Sequence, residues 1–390
     1  MPIKVRYVIA ATGLILAVNT PVCAHAEDAL KIGLIAPMTG IAASTGRQID
    51  NAVRLYMRQH GDTVAGRKIE IILRDDAAIA ENTRRVAQEL IVNDKVDILA
   101  GFGLTPGTLA TAPLATQAKI PMVVMAAGTS IITDKSSYIV RTSFTLPQSA
   151  SVIGAWASRN GIKTATAMIS DYAPGVDALT FFKKGFEAGG GRMIEEVRVP
   201  MSNPDFAPFL QRMKDAKPDA IFVFVPAGQG GAFMKQYVER GLNSSGIKVI
   251  GTGDIMDDDL LADMGDATLG MVTAHIYSAA HPSAKNEEFV AAYRQAFKAR
   301  PGFMAVGAYD GMHLIYEALK KTGGASGAAL VTAMKGMAWE SPRGPVAIDP
   351  DTRDIVQNVY VRKVEKVNGE PYNVEFDVVQ AVKDPGKNKD

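Results

Sequence analysis

Cysteine is almost missing from this chain of 390 residues: there is one, Cys23. A disulfide scaffold is thereby excluded, and so is thiol chemistry in any product that loses residue 23. Histidine is scarce, and none of His60, His275, His281 and His313 falls at a metal-ligand spacing. Charge of one sign is missing too. The 42 Lys+Arg against 41 Asp+Glu leave a formal +1, which gives no general attraction to phosphate and excludes a basic nucleic-acid binder. There is no GxSxG elbow, no HExxH and no phosphate loop. What is present is ordinary for a folded protein, with 47% hydrophobic and 21% charged residues. At a prior of roughly 150 residues per domain, the length suggests two domains or one large one.

The first 26 residues read as an export signal. Lys4 and Arg6 precede the apolar stretch Tyr7–Val18, and Ala24-His25-Ala26 has the small-x-small form of a cleavage site. Thr20-Pro21-Val22 before Cys23 fits a lipid-anchor signal poorly. No later run approaches the roughly 18 apolar residues of a membrane span. Cleavage after Ala26 removes two of the 42 basic residues, none of the 41 acidic ones and the cysteine, so the formal charge turns from +1 to −1. An exported, thiol-free, soluble product is expected.

From Glu27 the pattern alternates strand and helix. Lys31–Pro37, Lys68–Leu73, Val96–Gly101 and Pro121–Ala127 are short apolar runs suited to parallel strands covered on both faces. Between them Ile49, Ala52, Val53, Tyr56 and Met57, then Val86, Ala87, Leu90 and Ile91, mark helix faces. The alternation begins again, with strands expected at 164–170, 193–199, 220–226 and 248–253. Helices are expected at 147–160, 175–189, 205–216, 229–240, 284–299 and 304–321, and an alternating strand at 359–364. Two runs of four βα units predict an α/β fold of two doubly wound, Rossmann-like lobes, which bind ligands at the carboxyl ends of their strands.

Those strand ends carry the functional reading. Pro37–Gln48 leads small and hydroxyl residues into a helix, a ready anion site. There Thr45 either donates its hydroxyl or caps the helix, and Arg47 either pairs with a carboxylate or is solvated. Gly101–Thr108 tempts a dinucleotide reading, but its spacing is GxGxxxG and the ribose-binding acid is missing, so no nicotinamide cofactor is expected. Thr105 at the head of the next helix suits a small anion, and Ala126–Ser130 again offers free amides and a hydroxyl. On the second run, Tyr172 offers a ring face and a hydroxyl, and Asp254 an acceptor for a ligand cation or hydroxyl. Asp257, Asp258 and Asp259 look like a metal cluster, but acids at a helix start are the commoner explanation, and no metal is expected. Asp75 and Asp76 read as solvated. With no catalytic constellation, binding is favoured over chemistry.

Lys31–Gly40, the Asp75-Asp76 strand end, the Gly-rich third strand and Tyr138-Ile-Val-Arg-Thr142 together resemble the periplasmic solute-binding proteins of ABC transporters, in the leucine/isoleucine/valine-binding group (type 1 periplasmic binding proteins). The resemblance covers nearly all of 30–380. Ile276–Pro282 and Tyr172–Gly175 look closer to members for aromatic carboxylates. The resemblance implies two lobes joined by three crossovers, with hinges near Ser143, His275 and Gly344. Lobe 1 would comprise 27–143 and 276–343, lobe 2 would comprise 144–275 and 344–380, and 381–390 would be a flexible tail. It implies that Thr45, Leu104, Thr105, Gly128 and Thr129 hold a ligand carboxylate, and that Tyr172, Ala227 and Asp254 close over it. The chain departs from amino-acid binders of the group at Pro226-Ala-Gly228, which lacks an aromatic, and at Asp254, which is displaced by one position. It also lacks the disulfide of some relatives, having Ala78 and Leu104 at those places. The expected function is therefore capture of a small carboxylate, such as a benzoate or phenylpropanoate, and its delivery in the periplasm to an ABC permease with its ATPase. The protein would act as a monomer without cofactor or catalysis. The alternatives are a branched-chain or other hydrophobic amino acid as ligand, a sensor ectodomain, and an α/β enzyme.

Overall fold

A computed structural model describes residues 1–5, 29–202 and 204–388. From residue 6 on, the expected signal segment lies outside the described residues, Cys23 included. Among the described residues no helix is long and apolar enough to cross a membrane.

The first sheet is built from β1 (Leu30–Ala36), β2 (Thr63–Val64), β3 (Arg67–Asp75), β4 (Ile98–Gly101), β5 (Met122–Val124) and β6 (Ile139–Arg141), in the order β2-β3-β1-β4-β5-β6. Its pairs are parallel except for the β2–β3 hairpin. β1 is buried along its length except at Lys31, as a strand with helices on both faces must be. α1 (Ala43–His60), α2 (Ala80–Val92) and α3 (Thr105–Ala118) fill the crossovers. The expected stripe of α1 is realised, with Ile49, Ala52, Val53 and Tyr56 in the core.

The chain then crosses to α4 (Leu146–Arg159), which Thr145 and Gln148 start with a reciprocal capping box. There follow β7 (Thr164–Ser170), α5 (Ala173–Ala188), β8 (Arg192–Val199), α6 (Ala207–Asp215), β9 (Ala220–Phe224), α7 (Gly230–Glu239), β10 (Lys248–Thr252), α8 (Leu261–Met264) and β11 (Val272–His275). α9 (Ala284–Phe297), α10 (Phe303–Thr322) and α11 (Gly327–Met334) return to the first lobe. Tyr56 of α1 meets Tyr309 and Tyr316 of α10 edge-on at 4.9 and 5.1 Å. The chain ends in β12 (Ala338–Ser341), β13 (Gly344–Ile348), β14 (Ile355–Val367) and β15 (Glu370–Val382), all antiparallel additions to the second sheet.

Two expectations change. The last return to the second lobe was placed near Gly344, but β12 already pairs with β13, so the return falls at 335–337 and the β12–β13 hairpin belongs to the second sheet. Arg343, in the turn of that hairpin, is fully buried. It donates to the carbonyls of Thr142 and Ser143 and pairs with Asp310 at 2.7 Å, tying two crossings together. The segment 381–390 was expected to be flexible. β15 instead runs to Val382, and buried Asp384 accepts from Ser130 Oγ at 2.6 Å and Thr145 Oγ1 at 3.1 Å. Lys387 pairs with Asp134 at 2.8 Å. The tail is thus fastened to the first lobe, up to residues 389–390, which lie outside the described residues.

Asp354, at the start of β14, holds Arg141 at 2.6 Å with both side chains buried. Removing one partner strands the other charge in a dry interior. The Asp354→Ala variant is expected to lose about 3–5 kcal/mol of unfolding free energy in urea titration. A loss below about 1 kcal/mol would show that the pair is not structural in this sense.

Candidate functional site

A cavity lies where the two lobes meet. It opens on the carboxyl ends of strands in both sheets, as doubly wound lobes dictate. On the first lobe it is walled by Thr45, by Gly103-Leu104-Thr105, and by Ala126-Ala127-Gly128 after β5. On the second lobe Tyr172, Pro174, Phe224, Pro226, Ala227 and Asp254 face them. Phe144, Leu146 and Met304 complete the wall from the crossings.

Three helices begin here. α1, α3 and α5 all lack a side-chain cap at their first turn. The positive ends of the helices therefore face the cavity, an arrangement that favours an anion, with the first amide of α1 already bonded to the Gly40 carbonyl. Thr45 does not cap α1, whose N-cap is Ala42. Thr105 Oγ1 and Thr129 Oγ1 lie 3.0 Å apart, both buried. Glycine keeps the backbone close at two places. A Cβ on Gly46 would come within 2.1 Å of the Pro37 carbonyl, and one on Gly128 within 2.6 Å of the Leu146 side chain.

Seven of the nine expected residues line the cavity: Thr45, Leu104, Thr105, Gly128, Tyr172, Ala227 and Asp254. Thr129 stands behind the wall and reaches it through Thr105. Arg47 is not brought there. It is exposed, and its charge acts instead on Asp259. Residues two apart on a helix point about 200° apart, so Thr45 and Arg47 cannot share one face.

Sequence reasoning missed Phe144, Leu146, Phe224 and Met304. Phe224 lies beside Tyr172, ring centroids 6.0 Å apart and 25° from parallel. Its place as the last residue of β9 could have given it away. Phe144 and Leu146 sit in a crossing and Met304 on the returning α10, where no local pattern marks them.

Asp254 is 4% exposed, and its Oδ2 has no hydrogen-bond partner in the protein. Burial pushes its carboxyl up to about 6, against the pull of Thr252 and the Arg362 charge. His275 Nε2 stands 3.9 Å from Asp254 Oδ2. Burial, helped by the nearby Arg362 and Arg343 charges, holds that imidazole well below its ordinary range, so it is neutral. Burial likewise raises the Tyr172 phenol.

Around the cavity the lobes are joined directly. Gln48 Nε2 donates to Asp257 Oδ2 at 2.9 Å, Ser44 Oγ donates to Asp259, and the Ser130 amide donates to Asp177 Oδ2 at 2.9 Å. Asp257 and Asp259 therefore belong to the lobe interface, Asp258 lies buried 3.7 Å from Arg362 of the second lobe, and no metal cluster forms among the described residues. Asp75 and Asp76 are not merely solvated either. Asp75 accepts from the Met38 and Ala77 amides, and buried Asp76 accepts from Thr83 Oγ1 at 2.8 Å.

Three carboxyls, buried Asp254 and Asp258 and half-buried Asp177, are pushed from 3.8 to about 6. Each holds its proton more tightly folded than unfolded. Its contribution to stability is thus complete below about pH 4 and is lost as the pH rises through about 6. The melting midpoint of the ligand-free protein is expected to fall between about pH 4.5 and about pH 7, and less so in Asp254→Asn. An Asp254→Asn profile as steep as the wild type's would refute the assignment.

Comparison with known proteins follows the same lines. Residues 29–370 match the periplasmic binding protein family. The chain is 42% identical over 365 residues to Leu/Ile/Val-binding protein homolog 6 of Brucella abortus (strain 2308), covering 92% of this chain and 94% of that one. It is 71% identical, with a TM-score of 0.91, to a solute binding protein of an ABC transporter from Rhodopseudomonas palustris BisB5, solved with 3,4-dihydroxy benzoic acid; 92% of this chain and 99% of that one are covered. A counterpart from Rhodopseudomonas palustris HaA2, solved with p-hydroxybenzoic acid, is 42% identical over the same shares, with a TM-score of 0.89.

Proposed function

This chain belongs to the periplasmic binding protein family, and from that premise we propose that it captures an aromatic carboxylate of the benzoate type between its lobes and hands it to an ABC permease. The observation that carries this reading is the pairing of an anion site with aromatic walls in one cavity. The uncapped starts of α1 and α3, with Thr45 and Thr105, take the carboxylate. The ring lies among Phe144, Leu146, Tyr172, Phe224 and Met304. The two Rhodopseudomonas palustris proteins similar to this chain, each solved with a hydroxylated benzoate, support the same class. Leucine and its kin remain the alternative, favoured by the name of the Brucella relative.

The mechanism is closure. A ligand touching both lobes favours the state in which they meet, by as much as its contacts differ between the two states. Thr129 acts as a positioning residue, holding the Thr105 hydroxyl at 3.0 Å. Export to the periplasm and recognition of the closed form by the permease and its ATPase complete the reading.

A thermal-shift screen with benzoates and with leucine tests the ligand class. A ligand at 100 times its Kd adds about 2.7 kcal/mol to stability. A shift with leucine and none with any aromatic acid would overturn the proposal. Thr105→Ala and Thr129→Ala are each expected to weaken binding of para-hydroxybenzoate by about 1–3 kcal/mol in titration calorimetry. Unchanged affinity in both would remove the carboxylate site from this corner.

A further inference from the structure

The geometry points to Asp254 as the residue that makes binding depend on a hydrogen-bond donor carried by the ring, on the side away from the ligand carboxylate. This rests on the proposed benzoate reading and goes beyond it, because it assigns selection among benzoates to one side chain.

Asp254 is the one carboxylate in the cavity wall, and it stands on the second lobe, at the end of β10. The anion-binding helix starts with Thr45 and Thr105 stand on the first lobe. A ring whose carboxylate lies against the first lobe therefore turns its far edge to Asp254. The neighbouring wall on that side is Pro226 and Ala227, with no donor among their side chains, and Tyr172, whose phenol feels the charge of Asp254 but makes no hydrogen bond to its Oδ2. His275, at 3.9 Å, is too distant for a hydrogen bond. The carboxylate oxygen Oδ2 is buried and has no partner in the protein.

A buried acceptor of this kind discriminates strongly. A ligand with a hydroxyl or amino group at its far edge satisfies Oδ2. A ligand with only a carbon–hydrogen bond or a halogen there seals the carboxylate from water without replacing its hydrogen bonds, which costs more than an unmade bond at the surface. Sites built to bond a substrate hydroxyl reject the analogue lacking it far better than apolar pockets reject a missing methylene. An ionised acceptor also repels the fluorine of a fluorinated edge, and attracts an O–H or N–H dipole much more strongly than a C–H edge.

Titration calorimetry on the wild-type protein with benzoate, para-fluorobenzoate, para-hydroxybenzoate and para-aminobenzoate tests the inference without any variant. Para-hydroxybenzoate and para-aminobenzoate are expected to bind about 10- to 100-fold more tightly than benzoate and para-fluorobenzoate. In Asp254→Ala, with folding checked by circular dichroism, the ratio is expected to collapse to within about threefold, through weaker binding of the donors and unchanged or tighter binding of benzoate. Equal affinities for all four acids in the wild type, or a ratio that survives Asp254→Ala, would overturn the assignment while leaving the benzoate reading in place. Binding of leucine with no response to any of the four acids would overturn both.

Discussion

The buried pair Arg141–Asp354 is the contact on which the arrangement of both lobes rests. Arg141 closes the last strand of the first sheet, and Asp354 opens the longest antiparallel pairing of the second. The guanidinium does more than neutralise one acid. It donates to the carbonyls of Thr129 at 2.7 Å, Ser130 at 3.2 Å and Ala127 at 3.3 Å. The carbonyls of the loop that carries Gly128 and Thr129 are thereby drawn toward Arg141. Asp354 in turn accepts from Thr133 Oγ1 at 2.8 Å. One charge pair therefore sets the ligand loop and the junction of the sheets together. A buried charge can persist only where its hydrogen-bonding capacity is met, and here several carbonyls meet it.

Around that pair the crossings form a polar core rather than an oily one. Arg343 ties Thr142 and Ser143 to Asp310, which also accepts from Trp339 Nε1 and Ser341 Oγ at 2.9 and 2.8 Å. Gln148 links the start of α4 to the carbonyls of Ile355 and Val382, and Gln357 bonds it in turn at 3.0 Å. Residues 142–145 of the crossing lie outside helix and strand, so their backbone groups need side-chain partners. The buried Arg and Gln residues supply them. The tail does the same from the far end of the chain, with Asp384 bridging Ser130 and Thr145.

Much of this was legible in the sequence, and the reason is the periodicity of the fold. A doubly wound lobe repeats strand, loop and helix, and its loops at one end are the site. Thr45, Thr105 and Asp254 could be read from strand ends alone. Arg47 was misplaced because a strand-end rule ignores the phase of the helix that follows. The β12–β13 hairpin was invisible because it is short, mixed in burial and interrupted by Pro345. Met304 and Asp384 reach their places through tertiary contacts over more than 150 residues of chain, which no local pattern encodes. The missing disulfide leaves its work to packing. Asp76 fixes the loop through the Ala78 amide at 3.0 Å and Thr83 Oγ1, and the head of α3 lies so close that a Cβ on Gly107 would meet Thr83 at 2.2 Å.

Three contacts between the lobes beside the cavity share one polarity, and this bears on which way round a ligand can lie. Ser44 donates to Asp259, Gln48 to Asp257 and the Ser130 amide to Asp177, so in these three bonds the first lobe donates and the second accepts. The cavity repeats the pattern, with helix starts and threonine hydroxyls on the first lobe and Asp254 on the second. A carboxylate ligand turned the wrong way would set its charge against Asp254. Two like charges about 4 Å apart repel by about 4 kcal/mol where the effective dielectric is near 20. A carboxyl already raised to about 6 escapes that by taking up a proton, at about 1.4 kcal/mol for each pH unit above 6, so near pH 7 the reversed pose is disfavoured about tenfold. The asymmetry of the lobes therefore favours one orientation of a bound acid, with its carboxylate toward the helix starts of the first lobe and away from Asp254.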